Sequence, residues 1–260
     1  MNHTAAGISQ SFPNSPTNTA PQNSDRVNDL FAGISCDVTP APARHASRVL
    51  YAPVSHDPRV TKHCASVLSD IELQRADRFA AEHDKALFEQ RRAFRRLCVA
   101  TAIESSQPLS EILLEYTENG RPYLAAAPDL WFSFSSCRLG MLGAWSSTNG
   151  IGVDVEDHTR ELEAGELARQ YFSVAEAEAV ERAGSVERLR TFYRFWTLKE
   201  AALKSIGEGL PFGLDAFEFE LDPKVRVVHA PSDHGGPARF NGYEIEGTDG
   251  CAALVIRGLA

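Results

Sequence analysis

The 260-residue chain has few of the features that mark exported or membrane proteins. Its five cysteines are dispersed, without a Cys-x-x-Cys pair or another metal-ligand spacing. An odd, dispersed set argues against a disulfide framework and fits a reducing compartment. No stretch approaches the roughly 20 apolar residues of a membrane helix, and the N-terminus lacks the basic-then-apolar order of a signal peptide. We therefore expect a cytoplasmic protein that does not enter membranes.

The chain is also short of positive charge, with 26 Lys and Arg against 35 Asp and Glu and a formal net charge of −9. Nucleic-acid binding draws its affinity from neutralised phosphates, so this balance disfavours nucleic acid as a partner. A hydrophobic fraction of 43% is ordinary for a globular protein. The length suffices for one large domain or two small ones, each with a buried core.

Residues 1–45 are rich in Asn, Ser, Thr, Pro and Ala and poor in large apolar side chains. Such a segment buries too little surface to offset its ordering entropy, so it is predicted to be a disordered extension. The remaining chain mixes helix and strand patterns in each half, which predicts an α+β fold. The predicted halves are residues 46–148 and 149–260, and they meet near residues 146–150.

A basic cluster stands out in the first half, on and before a helix predicted over residues 84–104. Its members are Arg75, Arg78, Lys85, Arg91, Arg92, Arg95 and Arg96. A solvated helix face with glutamate neighbours is the ordinary interpretation of such a cluster. A local binding surface for an anion is the alternative that stays open.

Two acidic clusters in the second half carry the strongest indication of function: Gly152-Val153-Asp154-Val155-Glu156 and Trp196-Thr197-Leu198-Lys199-Glu200. The two-residue period of a strand puts Asp154 and Glu156 on one face. A helix predicted over residues 192–204 puts Glu200 and Lys204 on a shared face. Three carboxylates beside lysines suit a magnesium ion that also holds a phosphate, because this ion keeps open positions for phosphate oxygens.

Each cluster also has an ordinary interpretation. Asp154 and Glu156 are compatible with the solvent-facing side of a half-buried strand. Glu200 and Lys204 form a helix pair worth roughly 0.2–0.5 kcal/mol on its own. If these ordinary interpretations are right, the two clusters occur in one chain by coincidence. Their joint presence therefore favours the metal site.

As they stand, these clusters resemble the signature of the Sfp-type 4′-phosphopantetheinyl transferases, G-[IV]-D-[IVL]-E followed by W-x-x-K-E-[AS]-x-x-K, and Lys204 completes it. The resemblance runs from roughly residue 75 to residue 214, through Gly120-Arg121-Pro122, Phe172-Ser173-x-x-Glu176 and Gly207-Glu208-Gly209-Leu210. One departure is visible. The family usually has a Ser-His pair after an apolar strand, and here Ser135 is followed by Ser136. Ser173 and Glu176 also have the spacing of a helix capping box, so Glu176 is predicted to be a cap rather than a ligand.

The resemblance implies a pseudo-twofold pair of similar α/β subdomains with coenzyme A in the cleft between them, in a monomeric enzyme. It implies transfer of the 4′-phosphopantetheine arm of coenzyme A to a serine of an apo acyl, peptidyl or aryl carrier protein, with release of 3′,5′-ADP. The segment equivalent to the basic cluster borders coenzyme A and the carrier protein in this family. Which carrier is served does not follow from the residues.

The resemblance also assigns roles to residues. Asp154, Glu156 and Glu200 are expected to hold magnesium, with Glu200, Lys204 and Lys199 as the catalytic residues. The residues expected to contact coenzyme A are Arg78, Lys85, Arg121, Ser135, Ser136, Arg138, Lys199 and Lys204. Arg138 enters this set because, if the strand continues, it shares the face of Ser136 and supplies the charge of the missing histidine.

Two alternatives stay open. A non-catalytic protein that binds coenzyme A or carrier proteins would keep a basic cleft, although the retained acids argue against it. A metal-dependent phosphodiesterase would use the same acids, but it has no reason to keep the tryptophan, lysine and Gly-Arg-Pro motifs.

Overall fold

The computed structural model describes residues 35–45, 47–158 and 162–258. Within them the strands are Cys36–Asp37 (β1), Arg48–Pro53 (β2), Glu115–Tyr116 (β3), Pro122–Tyr123 (β4), Trp131–Ser136 (β5), Gly140–Ser146 (β6), Asn149–Glu156 (β7), Glu218–Glu220 (β8), Arg226–His229 (β9), Phe240–Glu244 (β10) and Cys251–Gly258 (β11). The α-helices are Pro58–Ala65 (α1), Asp70–Ala76 (α2), Glu82–Ala102 (α3), Ala164–Tyr171 (α4), Val174–Arg182 (α5) and Ser185–Ile206 (α6).

Two antiparallel sheets organise these elements. The first has the strand order β1-β2-β6-β5, and the second has the order β10-β11-β7. Two separate two-stranded pairs, β3 with β4 and β8 with β9, lie outside these sheets. Each sheet is packed against one long helix, α3 on the first and α6 on the second. The α+β prediction is confirmed, and the chain passes from one sheet to the other between β6 and β7.

The amphipathic patterns explain where the core forms. Phe94 of α3 packs with Phe132 of β5 in one cluster, and Leu198 of α6 packs with Val255 of β11 in another. A third cluster joins residues of both sheets: Val49, Leu142, Ile151, Val153 and Leu254. β5 and β7 also contact each other directly beside this shared core. Ser133 on β5 accepts the backbone N–H of Val153 on β7 at 3.0 Å.

The structure corrects the predicted length of the N-terminal extension. Residues 1–34 lie outside the described residues. Residues 36–37, however, form β1, in which Cys36 lies opposite Tyr51 of β2. Thr39 is buried, and its hydroxyl accepts the backbone N–H of Val49 at 2.8 Å. Regular structure therefore begins by residue 36, before the predicted boundary near residue 45, because a composition average hides the few residues that pack.

Two expectations from composition can be compared directly with the structure. All five cysteines, including the exposed Cys36, are free thiols in the structure. In the part of the chain that the structure describes, no helix is long and apolar enough to cross a membrane.

Candidate active site

Asp154 lies at the centre of the site, in the middle of β7. Its side chain is almost completely buried, with only 3% of the residue exposed. Oδ1 accepts hydrogen bonds from Ser135 Oγ at 2.7 Å and from Lys204 Nζ at 2.6 Å. Oδ2 is buried and has no hydrogen-bond partner. Since buried carboxylate oxygens are normally paired, Oδ2 is available to a ligand.

Close packing of α6 on β7 brings Lys204 to this carboxylate. A Cβ atom at Gly152 would lie 1.8 Å from the carbonyl oxygen of Ala201, so only glycine allows this approach. Lys204 Nζ also donates to the carbonyl of Val153 at 3.2 Å. The structure thus unites the strand and helix halves of the predicted site, as their spacing indicated.

The carboxylates of Glu156 and Glu200 lie close enough to Asp154 to feel its charge. Burial raises the pKa of Glu156 to about 7, and the charge of Asp154 adds to that effect against the opposing charge of Lys204. Burial and then Asp154 likewise raise the pKa of Glu200. Lys204 alone does not neutralise this cluster, so the residues would gain from a bound cation.

The fit to magnesium rests on the open Asp154 oxygen and on this excess of negative charge. In the described ranges, however, no three Asp, Glu, His or Cys side chains are already grouped to hold a metal ion. The geometry therefore provides oxygen donors of the right chemistry without a preformed coordination sphere. Magnesium stays a prediction.

Lys199 lies apart from the acidic cluster, contrary to its predicted place beside the phosphates. Its side chain is fully buried, and Nζ pairs with Glu176 Oε2 at 2.7 Å. It also donates to the carbonyls of Leu214, at 3.0 Å, and Phe217. Consecutive helix residues point about 100° apart, so Lys199 faces the hydrophobic cluster around Phe195 and Leu203 while Glu200 faces β7. This correction removes Lys199 from the group that contacts substrate directly.

Glu176 acts as the predicted helix cap. It forms a capping box with Ser173 at the start of α5, with its carboxylate accepting the Ser173 backbone N–H at 2.9 Å. The same carboxylate accepts the backbone N–H of Phe219 at 2.9 Å. With Lys199, it ties α5 and α6 to the segment that leads into β8.

The structure also corrects the placement of Arg138. β5 ends at Ser136, and Arg138 lies in the turn before β6 rather than on a continuing strand. Its backbone N–H donates to Asp157 Oδ2 at 3.1 Å, and its guanidinium lies 3.4 Å from Asp157 Oδ1. The charge of Arg138 is thus shared with a buried carboxylate, which weakens the case for a compensating phosphate ligand.

Arg121 lies at the opposite end of β5 from Ser135. Its guanidinium carbon is 4.2 Å from the centre of the Trp131 ring, and Nη1 is buried without a hydrogen-bond partner. Burial lowers the pKa of Arg121. Ser135 is four residues along the strand from Trp131, a distance of about 13 Å. Arg121 stays a predicted contact, at some distance from the acids.

Arg78 and Lys85 are not among the residues that line the cavity beside Glu156. Arg78 is exposed near the end of α2, and Lys85 pairs with exposed Asp77 at 2.6 Å. The cavity, of about 770 Å³, lies beside Glu156, and the residues that line it are Arg91, Cys137, Arg138, Glu156, Asp157, Leu162, Leu167, Phe192, Tyr193 and Trp196.

Arg91 is therefore the member of the predicted basic cluster that lines this cavity, although sequence reasoning assigns it no contact. A signal was present: Arg91 is three residues from both Phe88 and Phe94, which are buried on the apolar face. An arginine next to the apolar face of α3 lies against the first sheet and is partly shielded from solvent.

Comparisons with known proteins identify the family of the chain. Residues 150–253, which include the acids of β7 and all of α6, match the model of the 4′-phosphopantetheinyl transferase superfamily. The chain is 30% identical over 200 residues to the 4′-phosphopantetheinyl transferase HetI of Nostoc sp., which covers 74% of this chain and 78% of HetI.

Two further relatives are matched over shorter stretches. The 4′-phosphopantetheinyl transferase Sfp of Bacillus subtilis is 30% identical over 138 residues, covering 54% of this chain and 60% of Sfp. The L-aminoadipate-semialdehyde dehydrogenase-phosphopantetheinyl transferase of Xenopus laevis is 28% identical over 176 residues, covering 64% of this chain and 58% of that protein. The chain belongs to the 4′-phosphopantetheinyl transferase superfamily. Within it, the likeness to HetI and Sfp identifies the Sfp type.

Proposed function

We propose that this protein transfers the 4′-phosphopantetheine arm of coenzyme A to a serine hydroxyl of an apo carrier protein and releases 3′,5′-ADP. The observation that carries the proposal is the buried Asp154, with one unpaired oxygen beside Lys204, Glu156 and Glu200. In the reaction, the serine Oγ forms a bond to the β-phosphorus of coenzyme A. The bond from that phosphorus to the bridging oxygen breaks, and the electron pair leaves with 3′,5′-ADP.

Asp154, Glu156 and Glu200 are the residues that would hold a magnesium ion, which supplies neutralisation of the diphosphate and of the charge that develops during transfer. Lys204 adds a fixed positive charge, and its bond to Asp154 holds the ammonium at the acids. Glu200 is assigned as the base that takes the serine proton, because its pKa is raised and its carboxylate borders the same cluster.

Transfer is tested by incubating the protein with coenzyme A, magnesium and a panel of apo carrier proteins of the acyl, peptidyl and aryl classes. We expect a mass gain of one phosphopantetheine arm on at least one carrier and its loss in excess EDTA. Binding of coenzyme A without any mass gain would support the non-catalytic alternative. Hydrolysis of coenzyme A without a carrier would support a phosphodiesterase.

The remaining parts of the proposal are the cytoplasmic location and the monomeric state. A monomer fits a site whose acids and Lys204 all come from one chain. Size-exclusion chromatography with light scattering measures this directly, and a stable dimer would contradict it.

A further inference from the structure

The Ser135 hydroxyl is already engaged in a hydrogen bond, although the family resemblance implies a contact with coenzyme A. It donates to Asp154 Oδ1 at 2.7 Å. A serine hydroxyl has a single proton, and an ionised carboxylate accepts hydrogen bonds without donating any. The oxygens of ionised phosphate groups are likewise acceptors. Ser135 therefore cannot donate to a phosphate while it is bonded to Asp154.

Two donors converge on the same oxygen of Asp154. Besides Ser135, Lys204 Nζ donates to Oδ1 at 2.6 Å. Oδ2 is buried and has no hydrogen-bond partner. One oxygen is thus held by both donors, which fixes the plane of the carboxylate and leaves the other oxygen as the open acceptor.

The backbone beside Asp154 is held by the same pair of elements. Ser133 lies two residues before Ser135, so the strand period puts both hydroxyls on the face of β5 that meets β7. Ser133 Oγ accepts the Val153 N–H at 3.0 Å, and the Val153 carbonyl accepts Lys204 Nζ at 3.2 Å. Side chains of β5 and α6 therefore fix both the backbone and the carboxylate at Asp154.

We infer that Ser135 is a positioning residue for Asp154, the proposed cation ligand, and is not a phosphate contact of coenzyme A. It acts through the carboxylate, by holding it in the orientation that leaves Oδ2 free. Removal of a hydrogen-bond partner behind a metal ligand typically weakens metal binding by about 10- to 100-fold. This inference rests on the proposed function, since it takes Asp154 as a ligand of magnesium.

The test measures Mn²⁺ binding to the full-length protein without nucleotide, using electron paramagnetic resonance to count the free ion. Mn²⁺ stands in for Mg²⁺, because both ions prefer carboxylate oxygens. Ser135→Ala should weaken Mn²⁺ binding by about 10-fold, and Ser135→Thr, which keeps the hydroxyl, should restore most of it. Ser136→Ala is the matched control, because Ser136 is the next residue of β5 and faces the other side of the strand. It should keep the wild-type affinity for Mn²⁺.

Binding of 3′,5′-ADP in EDTA, followed by calorimetry, is the second measurement, and Ser135→Ala should leave it unchanged. Unchanged Mn²⁺ affinity in Ser135→Ala, or no Mn²⁺ binding by the wild type, overturns the inference. Weaker 3′,5′-ADP binding in that variant also overturns it, because Ser135 would then contact a phosphate. An equal loss of Mn²⁺ affinity in the Ala and Thr variants would contradict a role of the hydroxyl.

Transfer to carrier proteins by the wild type is measured separately. Absence of transfer would refute the proposed function, whereas Mn²⁺ binding decides the role of Ser135.

Discussion

At the residue scale, the main result is that Asp154 is an interior acid rather than an exposed strand residue. It is nearly inaccessible and is held by Ser135 and Lys204. The alternation of β7 predicted which face it shares with Glu156. The depth of the site could not be predicted, because it depends on how closely α6 packs over Gly152.

Asp154→Asn should reduce transfer by about 100-fold or more while the protein stays folded. The amide is isosteric and still accepts hydrogen bonds from Ser135 and Lys204, but it removes the charge that would hold the cation. Transfer rates at limiting and saturating magnesium, with a thermal melt, check this. Asp233→Asn, at an exposed position, is the control. Unchanged transfer at limiting magnesium would contradict the metal assignment.

The raised pKa of Glu156 predicts how the stability of the metal-free protein depends on pH. Its folded pKa is about 7 against an ordinary value of 4.5, so the folded state binds more protons than the unfolded state between these limits. The free energy of unfolding therefore falls as pH rises through this window. In EDTA, Tm should be higher near about pH 5 than near about pH 7.5.

Glu156→Gln separates this contribution from those of Glu200 and Glu89, whose pKa values burial also raises. The Tm difference between the two pH values should shrink in the variant. An equal difference in both proteins would show that Glu156 does not titrate in this window.

The two signature lysines show where sequence reasoning succeeded and where it did not. Lys204 was predicted beside the acids, and the structure places it there. Lys199 is four residues from both Phe195 and Leu203, which are buried core residues. Helical periodicity therefore indicates a buried Lys199, whereas its place in the family motif predicts a contact with coenzyme A. Its partner Glu176 could not be deduced, because their pairing depends on the packing of α5 against α6.

At the element scale, the pair of Lys199 and Glu176 fastens α5 and α6 to the segment before β8. Lys199→Met leaves the Glu176 carboxylate buried without its cation and should cost about 3–5 kcal/mol of unfolding free energy. Denaturant unfolding measures this loss. If Lys199 acts only through the fold, KM for coenzyme A should change little at temperatures where the variant is folded.

A second variant keeps that prediction testable if Lys199→Met folds poorly. The double variant Lys199→Met, Glu176→Leu removes both charges and should recover part of the lost stability, although it also loses the Glu176 half of the capping box on α5. A large rise in KM in a fully folded variant would contradict a purely structural role and return Lys199 to the substrate site.

Element prediction was best where the pattern was long. The predicted helix over residues 84–104 corresponds to α3, and the predicted helix over residues 192–204 lies within α6. The apolar run at residues 112–117 predicts a strand, but only Glu115–Tyr116 form one, because Leu109 and Ile112 are buried around a short 3-10 turn. Apolar residues in such a short stretch fit either conformation equally well.

At the scale of the whole molecule, composition and pattern predicted the α+β class, which is confirmed, while the division into halves near residue 148 stays a prediction. They did not reveal how the halves join. That junction is the shared core of Val49, Leu142, Val153 and Leu254, together with the bonds from β5 to β7. Because Asp154 and Ser135 come from opposite sides of the junction, the site depends on both halves being docked.

The N-terminal boundary offers a test at this scale, because the structure places ordered residues before the predicted limit. Deleting residues 2–40 removes β1, the Val38 backbone bond to Val49 and the buried Thr39 hydroxyl. Compared with deletion of residues 2–34, this loss should cost roughly 2 kcal/mol, or about 4–8 °C in Tm. Both truncated proteins should retain transfer, since β5, β7 and α6 remain.

Two outcomes would contradict this account. Equal Tm values for the two truncations would show that residues 35–40 contribute nothing to the first sheet. Loss of transfer only in the longer deletion would mean that β1 supports the junction at Asp154.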